Sequence, residues 1–162
     1  MSASDDLARI ALQEEHLVFP AFDEETAWRL GSRLRSLAIE RSLPIVIDVR
    51  RPAHPLFYAT LSGTTPDNAD WVRRKSNVVF RFLRSSYAFG VEMEQKGSSF
   101  AERGLSAADY AGHGGSFPIR VQNAGVVAAV TVSGLPQRAD HELAVEALCA
   151  ELGQSYESLR LL

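Results

Sequence analysis

An α+β fold is predicted by three features of this sequence. Short β-branched runs come in two pairs, at Ile45–Val49 with Leu56–Leu61 and at Phe117–Gln122 with Val126–Ser133. Amphipathic stretches with helical spacing lie before and after those pairs. The longer stretches open on recognisable start signals: Asp23, Thr65-Pro66 and Pro136. Hairpins separated by helices imply an antiparallel sheet with helices packed on it. At 162 residues the chain suits one core better than two, and no repeat or linker divides it, so residues 1–162 are read as one domain.

The elements follow in order. Asp5 to Leu12 is read as a short helix and His16 to Phe22 as an extended piece containing Pro20. Asp23 caps the next helix, with Glu24 and Glu25 at its positive end. Ala27, Leu30, Leu34, Leu37 and Ala38 recur at helical spacing up to about Ser42, before Pro44. Two prolines mark Arg50 to Pro55 as the connection between the first two strands. The helix from Thr65 runs to about Ser86, and Val91 to Lys96 either continues it or forms a short helix of its own. Gly97 to Gly104 is a loop, and Ser106 to Asp109 resembles the opening of one helical turn. Asn123-Ala124-Gly125 is a tight turn between the last two strands, and the final helix reaches about Leu152.

Charge and composition exclude several function classes. A net charge of −3 argues against bulk electrostatic binding to nucleic acid or anionic membrane. No apolar run is long enough to span a bilayer. The start, Met1 to Asp6, is acidic and lacks a signal pattern, and Cys149 is the single cysteine, so a cytoplasmic location is expected. His16, His54, His113 and His141 are dispersed and no paired cysteines occur, so no metal site is expected. No nucleophile elbow or other specific catalytic motif is present, and no catalytic residue is assigned.

Two polar side chains fall where apolar ones are expected. On the helix from Thr65, the residues Trp71, Val72, Val78, Val79, Phe82 and Leu83 share one arc, with Lys75 near its middle. Either Lys75 snorkels from the core edge to water, or its ammonium meets an anion, because an unpaired buried ammonium costs several kcal/mol. The anion-binding pocket is the reading favoured here, with Trp71 beside it. On the last helix His141 shares the apolar face of Ala144, Val145, Leu148 and Cys149, as a satisfied core residue or as a ligand contact. Arg73, Arg74, Arg81 and Arg84 read as a solvated or inter-subunit face, and Phe80 and Phe89 fall off the core stripe, which suggests an interface.

Gly112-His113-Gly114-Gly115 is a glycine loop that precedes a strand, so it is neither a Walker loop nor a dinucleotide fingerprint. It fits a turn with positive φ or an anion-binding nest of N–H groups beside the His113 imidazole. The run Tyr110 to Ile119, then Gly125, Val130 to Gln137 and Asp140-His141, resembles the haem-degrading-domain family of GlcG-type and HbpS-like proteins. Trp71 to Lys75, Arg81-Phe82 and Ser85-Ser86 are closest to its cytosolic branch. The resemblance covers about Ile45 to Leu152. It implies a layered fold with an antiparallel sheet of about five strands and flanking helices, homo-oligomers, and a small-molecule or tetrapyrrole ligand, with no iron ligand carried over.

Three functions are compatible with these residues. The favoured one is a ligand-binding oligomer, with Lys75, His113, Gly114, Gly115, Trp71 and His141 as site residues and haem or another anionic small molecule as ligand. The second is an oligomeric scaffold for protein partners. The third, an enzyme using His113 or His141 as acid or base, has the least support.

Overall fold

The computed structural model describes residues 2–162; Met1, the first residue of the acidic start noted above, lies outside them. The first helix, α1 (Ala3–His16), is longer than its apolar pattern suggests. Ser2 accepts the Asp5 N–H and Asp5 accepts the Ser2 N–H, a reciprocal cap that starts the helix earlier. It leads through β1 (Val18–Phe19) to α2 (Glu24–Glu40), whose cap Asp23 accepts the Thr26 N–H at 2.8 Å. The hairpin β2 (Val46–Arg51) and β3 (His54–Thr60) turns at Pro52-Ala53 alone, with Ala53 at positive φ. The expected connection from Arg50 to Pro55 therefore mostly belongs to the strands.

The helix α3 (Pro66–Phe82) stops sooner than expected. Leu83 takes a left-handed conformation at φ 57°, and Ser85 then caps a separate helix, α4 (Ser86–Gln95). A 3₁₀ turn covers Ala101–Arg103, while Ser106 to Asp109 forms a turn and no helix. The strands β4 (Ser116–Val121) and β5 (Gly125–Ser133) form the second hairpin, followed by α5 (Gln137–Leu152) and a four-residue helix α6 (Tyr156–Leu159) that periodicity did not reveal.

Five strands form one sheet in the order β1-β4-β5-β2-β3. Its four longer strands are antiparallel, as expected, but β1 pairs parallel with β4, Val18 opposite Arg120. The sheet is therefore mixed. A two-residue edge strand reached through a helix has no hairpin to fix its direction, so its sense was not legible.

The two faces of the sheet differ in chemistry. On one, Ile47, Val49, Phe117, Ile119, Val130 and Val132 pack against Leu30 and Leu34 of α2 and Leu148 of α5 as the main core. Cys149 belongs to that core. On the other, Ser116, Thr131, Ser133 and Asp48 are buried, and α3 covers part of that polar layer with Lys75 and Ser76. Phe89 is buried, stacked between Phe82 and Phe100 at ring separations of 4.0 and 5.7 Å. It is a core residue, and the expectation that it contributes to an interface is withdrawn.

His141 is fully buried on α5, between Tyr87 and Phe117. Its Nε2 pairs with Gln13 Oε1 at 2.7 Å, while Nδ1 has no protein partner. Burial, and secondarily the nearby Arg138, pushes its pKa down from 6.5 to about 3. The unfolded chain therefore binds a proton near pH 6.5 that the folded chain refuses until about pH 3. The stability from a neutral His141 is complete above pH 6.5 and is lost as pH falls toward 3. At pH 5 the loss relative to pH 7 should be about 2 kcal/mol. Urea melts of wild type and His141→Phe across this range check it: the difference between them should narrow as pH falls.

Candidate functional site

The candidate site forms at the end of the sheet where β5 leaves toward α5. The turn Gly134-Leu135-Pro136 carries the chain from the last strand into the last helix. Asp140, in the first turn of α5, folds back over that turn and accepts the N–H groups of Leu135 at 2.9 Å and Gly134 at 3.3 Å. Lys75 reaches the same carboxylate from α3, with Nζ 2.9 Å from Asp140 Oδ2, and also donates to the Val132 carbonyl at 3.2 Å. The two side chains are 4% and 1% exposed.

The sequence reading favoured an anion pocket as the partner of Lys75; its partner in the structure is a buried carboxylate. Lys75 nevertheless lines a cleft of about 200 Å³, together with Asn68, Trp71, His113, Gln137 and Asp140. Burial lowers the Lys75 pKa and raises that of Asp140, and in each case the partner's charge opposes the shift. Both shifts move the pair toward its neutral form.

The glycine loop makes this approach possible. A Cβ on Gly115 would lie 2.3 Å from the Val132 carbonyl oxygen and 2.8 Å from Lys75 Nζ, and the residue sits at φ +137°. A Cβ on Gly114 would lie 2.2 Å from the Gln137 carbonyl oxygen. The Gly114 N–H donates to Gln137 Oε1 at 3.2 Å, which fastens the loop to the start of α5.

His113 stands on the cleft rim, exposed, with its ring edge-on to Trp71 at 5.0 Å. Partial desolvation, then Lys75 and Arg74, holds its pKa below the ordinary histidine value. The guanidinium of Arg74 lies 4.4 Å over the Trp71 ring. Trp71, Lys75 and His113 are thus brought together on one cleft, with Gly114 and Gly115 behind it. His141 is not among its lining residues and faces the interior, toward Gln13. Asp140, Asn68 and Gln137 were missed; among them Asp140 carried a signal, as an acid at the positive end of a helix beside His141.

A model of the family described as haem-degrading protein HbpS-like matches residues 22–149. A UPF0303 protein of Acidobacterium capsulatum is 60% identical over 162 residues, covering 99% of this chain and 98% of the relative. The chain belongs to the HbpS-like family. The crystal structure of the Ybr137w protein superposes with a TM-score of 0.83 at 30% identity, over 91% of this chain and 88% of that one. The crystal structure of a PduOC:heme complex shares the fold at a TM-score of 0.67 and 14% identity, over 80% of this chain and 94% of that one. Among the described residues, no helix of this HbpS-like chain is long and apolar enough to cross a membrane.

Removing one member of the buried pair strands the other. Lys75→Met should lower ligand-free stability by about 3–5 kcal/mol by leaving Asp140 an unpaired buried acid. The double variant Lys75→Met/Asp140→Leu should recover part of that loss, despite the N–H groups it orphans. Urea melts of the three proteins test this; a neutral Lys75→Met would mean the pair is not held in solution.

Proposed function

We propose that this HbpS-like chain is a small-molecule-binding protein that takes an anionic ligand in the cleft between α3, the glycine loop and the start of α5. The observation that carries this reading is a buried ammonium with a donor to spare. Lys75 has three N–H donors, and Asp140 and Val132 account for two. Two side-chain amides add to it. Asn68 Oδ1 accepts the Thr65 N–H at 2.9 Å and Gln137 Oε1 accepts from Gly114, so each turns its NH₂ end away from those bonds. Both residues line the cleft with Lys75. Three donors around a small space suit a carboxylate.

The size of the cleft bears on haem. At about 200 Å³ it is smaller than the ~300–1,000 Å³ of sites that enclose drug-sized ligands. A tetrapyrrole does not fit inside it. Haem contact on this chain is therefore superficial, with a propionate as the part the donors can hold. Titration with haemin should give a broad absorbance change that gel filtration removes. A sharp Soret band retained at one haem per chain would overturn this. For the cleft itself, acetate, lactate and pyruvate are the probes. Saturating ligand at ~100 times Kd should add about 2.7 kcal/mol of stability in urea melts, and Asn68→Ala should weaken the effect. No stabilisation by any of the three would refute the carboxylate reading.

An oligomeric scaffold is the second reading, and one patch favours it. Trp28 on α2 is 62% exposed and edge-on to Phe57, with Ile39 of the same helix 52% exposed. An exposed tryptophan of this kind is an interface anchor. We assign the protein to a cytoplasmic homo-oligomer on this basis together with its single, buried Cys149. Light scattering at micromolar concentration should give a multiple of 17.8 kDa for wild type and a smaller mass for Trp28→Arg. A wild-type mass of one chain would remove this reading.

A further inference from the structure

The chain places its cations selectively. Of its 17 Lys and Arg residues only Lys75 and Lys96 are lysine. Lys96, just past the end of α4, is exposed and paired with Glu92. Lys75 is buried, its side chain 4% exposed, and lines the cleft. Arginine cannot be deprotonated in a protein, whereas a desolvated lysine can become a nucleophilic amine. Of the two lysines only Lys75 lies in the cleft, buried, with a carboxylate 2.9 Å away to take its proton.

We propose that Lys75 is a covalent site, whose amine condenses with the carbonyl carbon of a small 2-oxo acid held in the cleft to form an imine. This rests on the reading of the cleft as a carboxylate site. The ligand's carboxylate lies against the NH₂ groups of Asn68 and Gln137, which leaves its carbonyl next to Nζ. The Lys75 ammonium first passes a proton to Asp140 Oδ2. The free amine then attacks; the C–N bond forms as the carbonyl π electrons move to oxygen. The proton leaving nitrogen moves to that oxygen, giving a carbinolamine. Asp140 returns its own proton to the hydroxyl, the C–O bond breaks, and water leaves. The product is a protonated imine beside an ionised Asp140. No oxidant, reductant or outside proton is consumed, and the site ends with the charges it began with. The burial that moves the Lys75–Asp140 pair toward neutrality supports the first proton transfer.

The decisive measurement uses wild-type protein. Purified protein is incubated with pyruvate and sodium cyanoborohydride, which reduces an imine to a stable secondary amine, and the adduct is mapped by peptide mass spectrometry. Reductive trapping at Lys75 should be at least about tenfold faster than at Lys96, which serves as the internal control. Excess lactate, a carboxylate without the carbonyl, should suppress trapping at Lys75 and leave Lys96 unchanged. Lys75→Arg, which keeps the charge opposite Asp140, should lose the fast adduct. Trapping at Lys75 no faster than at Lys96, or not at all, would overturn the proposal. If lactate and pyruvate stabilise the protein equally while no Lys75 adduct forms, the covalent step falls and the binding site stands. If neither stabilises it and no adduct forms, both fall.

Discussion

The Lys75–Asp140 ion pair is the constraint around which this end of the molecule is arranged. It joins three elements around the sheet: α3 on one face, the C-terminal end of the central strand β5, and the first turn of α5, whose body packs on the other face. A buried ion pair of this kind is poor value as a source of stability, because desolvating both groups offsets most of their attraction. What it contributes is geometry. Asp140 is saturated on the protein side by Lys75 and by the Gly134 and Leu135 N–H groups, so the turn into α5 has one conformation. The glycine loop follows from the same requirement, since a side chain at position 115 would occupy the space of the ammonium and of the Val132 carbonyl.

The polar layer beneath α3 extends this logic. Ser116 and Thr131 share a hydroxyl contact at 2.9 Å across β4 and β5. Asp48 is fully buried on β2, yet Arg50 holds it through two hydrogen bonds of 2.7 and 2.9 Å. Burial still raises the Asp48 pKa, with Arg50 pulling it down. The opposite face is aliphatic and aromatic throughout. Cohesion is thereby concentrated on the side of α2 and α5, which leaves the α3 side free to carry charged and hydroxyl groups whose partners must be met one by one.

Much of the fold was legible because local rules and tertiary packing agree here. The strand pairs, the caps at Asp23 and Thr65, and the extent of α5 follow from residue type and spacing. Where they failed, a single residue overrode the pattern: Leu83 turning left-handed splits what periodicity joins, and Ser2 starts α1 before its apolar stripe begins. The parallel sense of β1 is set by its pairing with β4 about a hundred residues later, Val18 opposite Arg120, which no local signal carries. At the site, the anomaly of Lys75 on an apolar arc was visible at once, whereas Asp140 was not. A partner 65 residues away is a property of topology. His141 shows the converse: it satisfies the same pattern test as Lys75, but its face of α5 points to Gln13 and away from the cleft.

The outer edge of the sheet has a consequence for how copies of this chain avoid running together. Among the described residues β3 is the edge strand on one side of the sheet, and the two-residue β1 lies on the other. Pro55 offers no N–H there, and Leu56 is an extra residue where the pairing steps from Val49–Phe57 to Arg50–Pro55, so the first part of that edge is a poor template for another strand. The stretch from Phe57 to Thr60 keeps a regular register. An edge broken at its start by one proline and one irregularity of pairing is a shorter template for open-ended strand addition than an unbroken one.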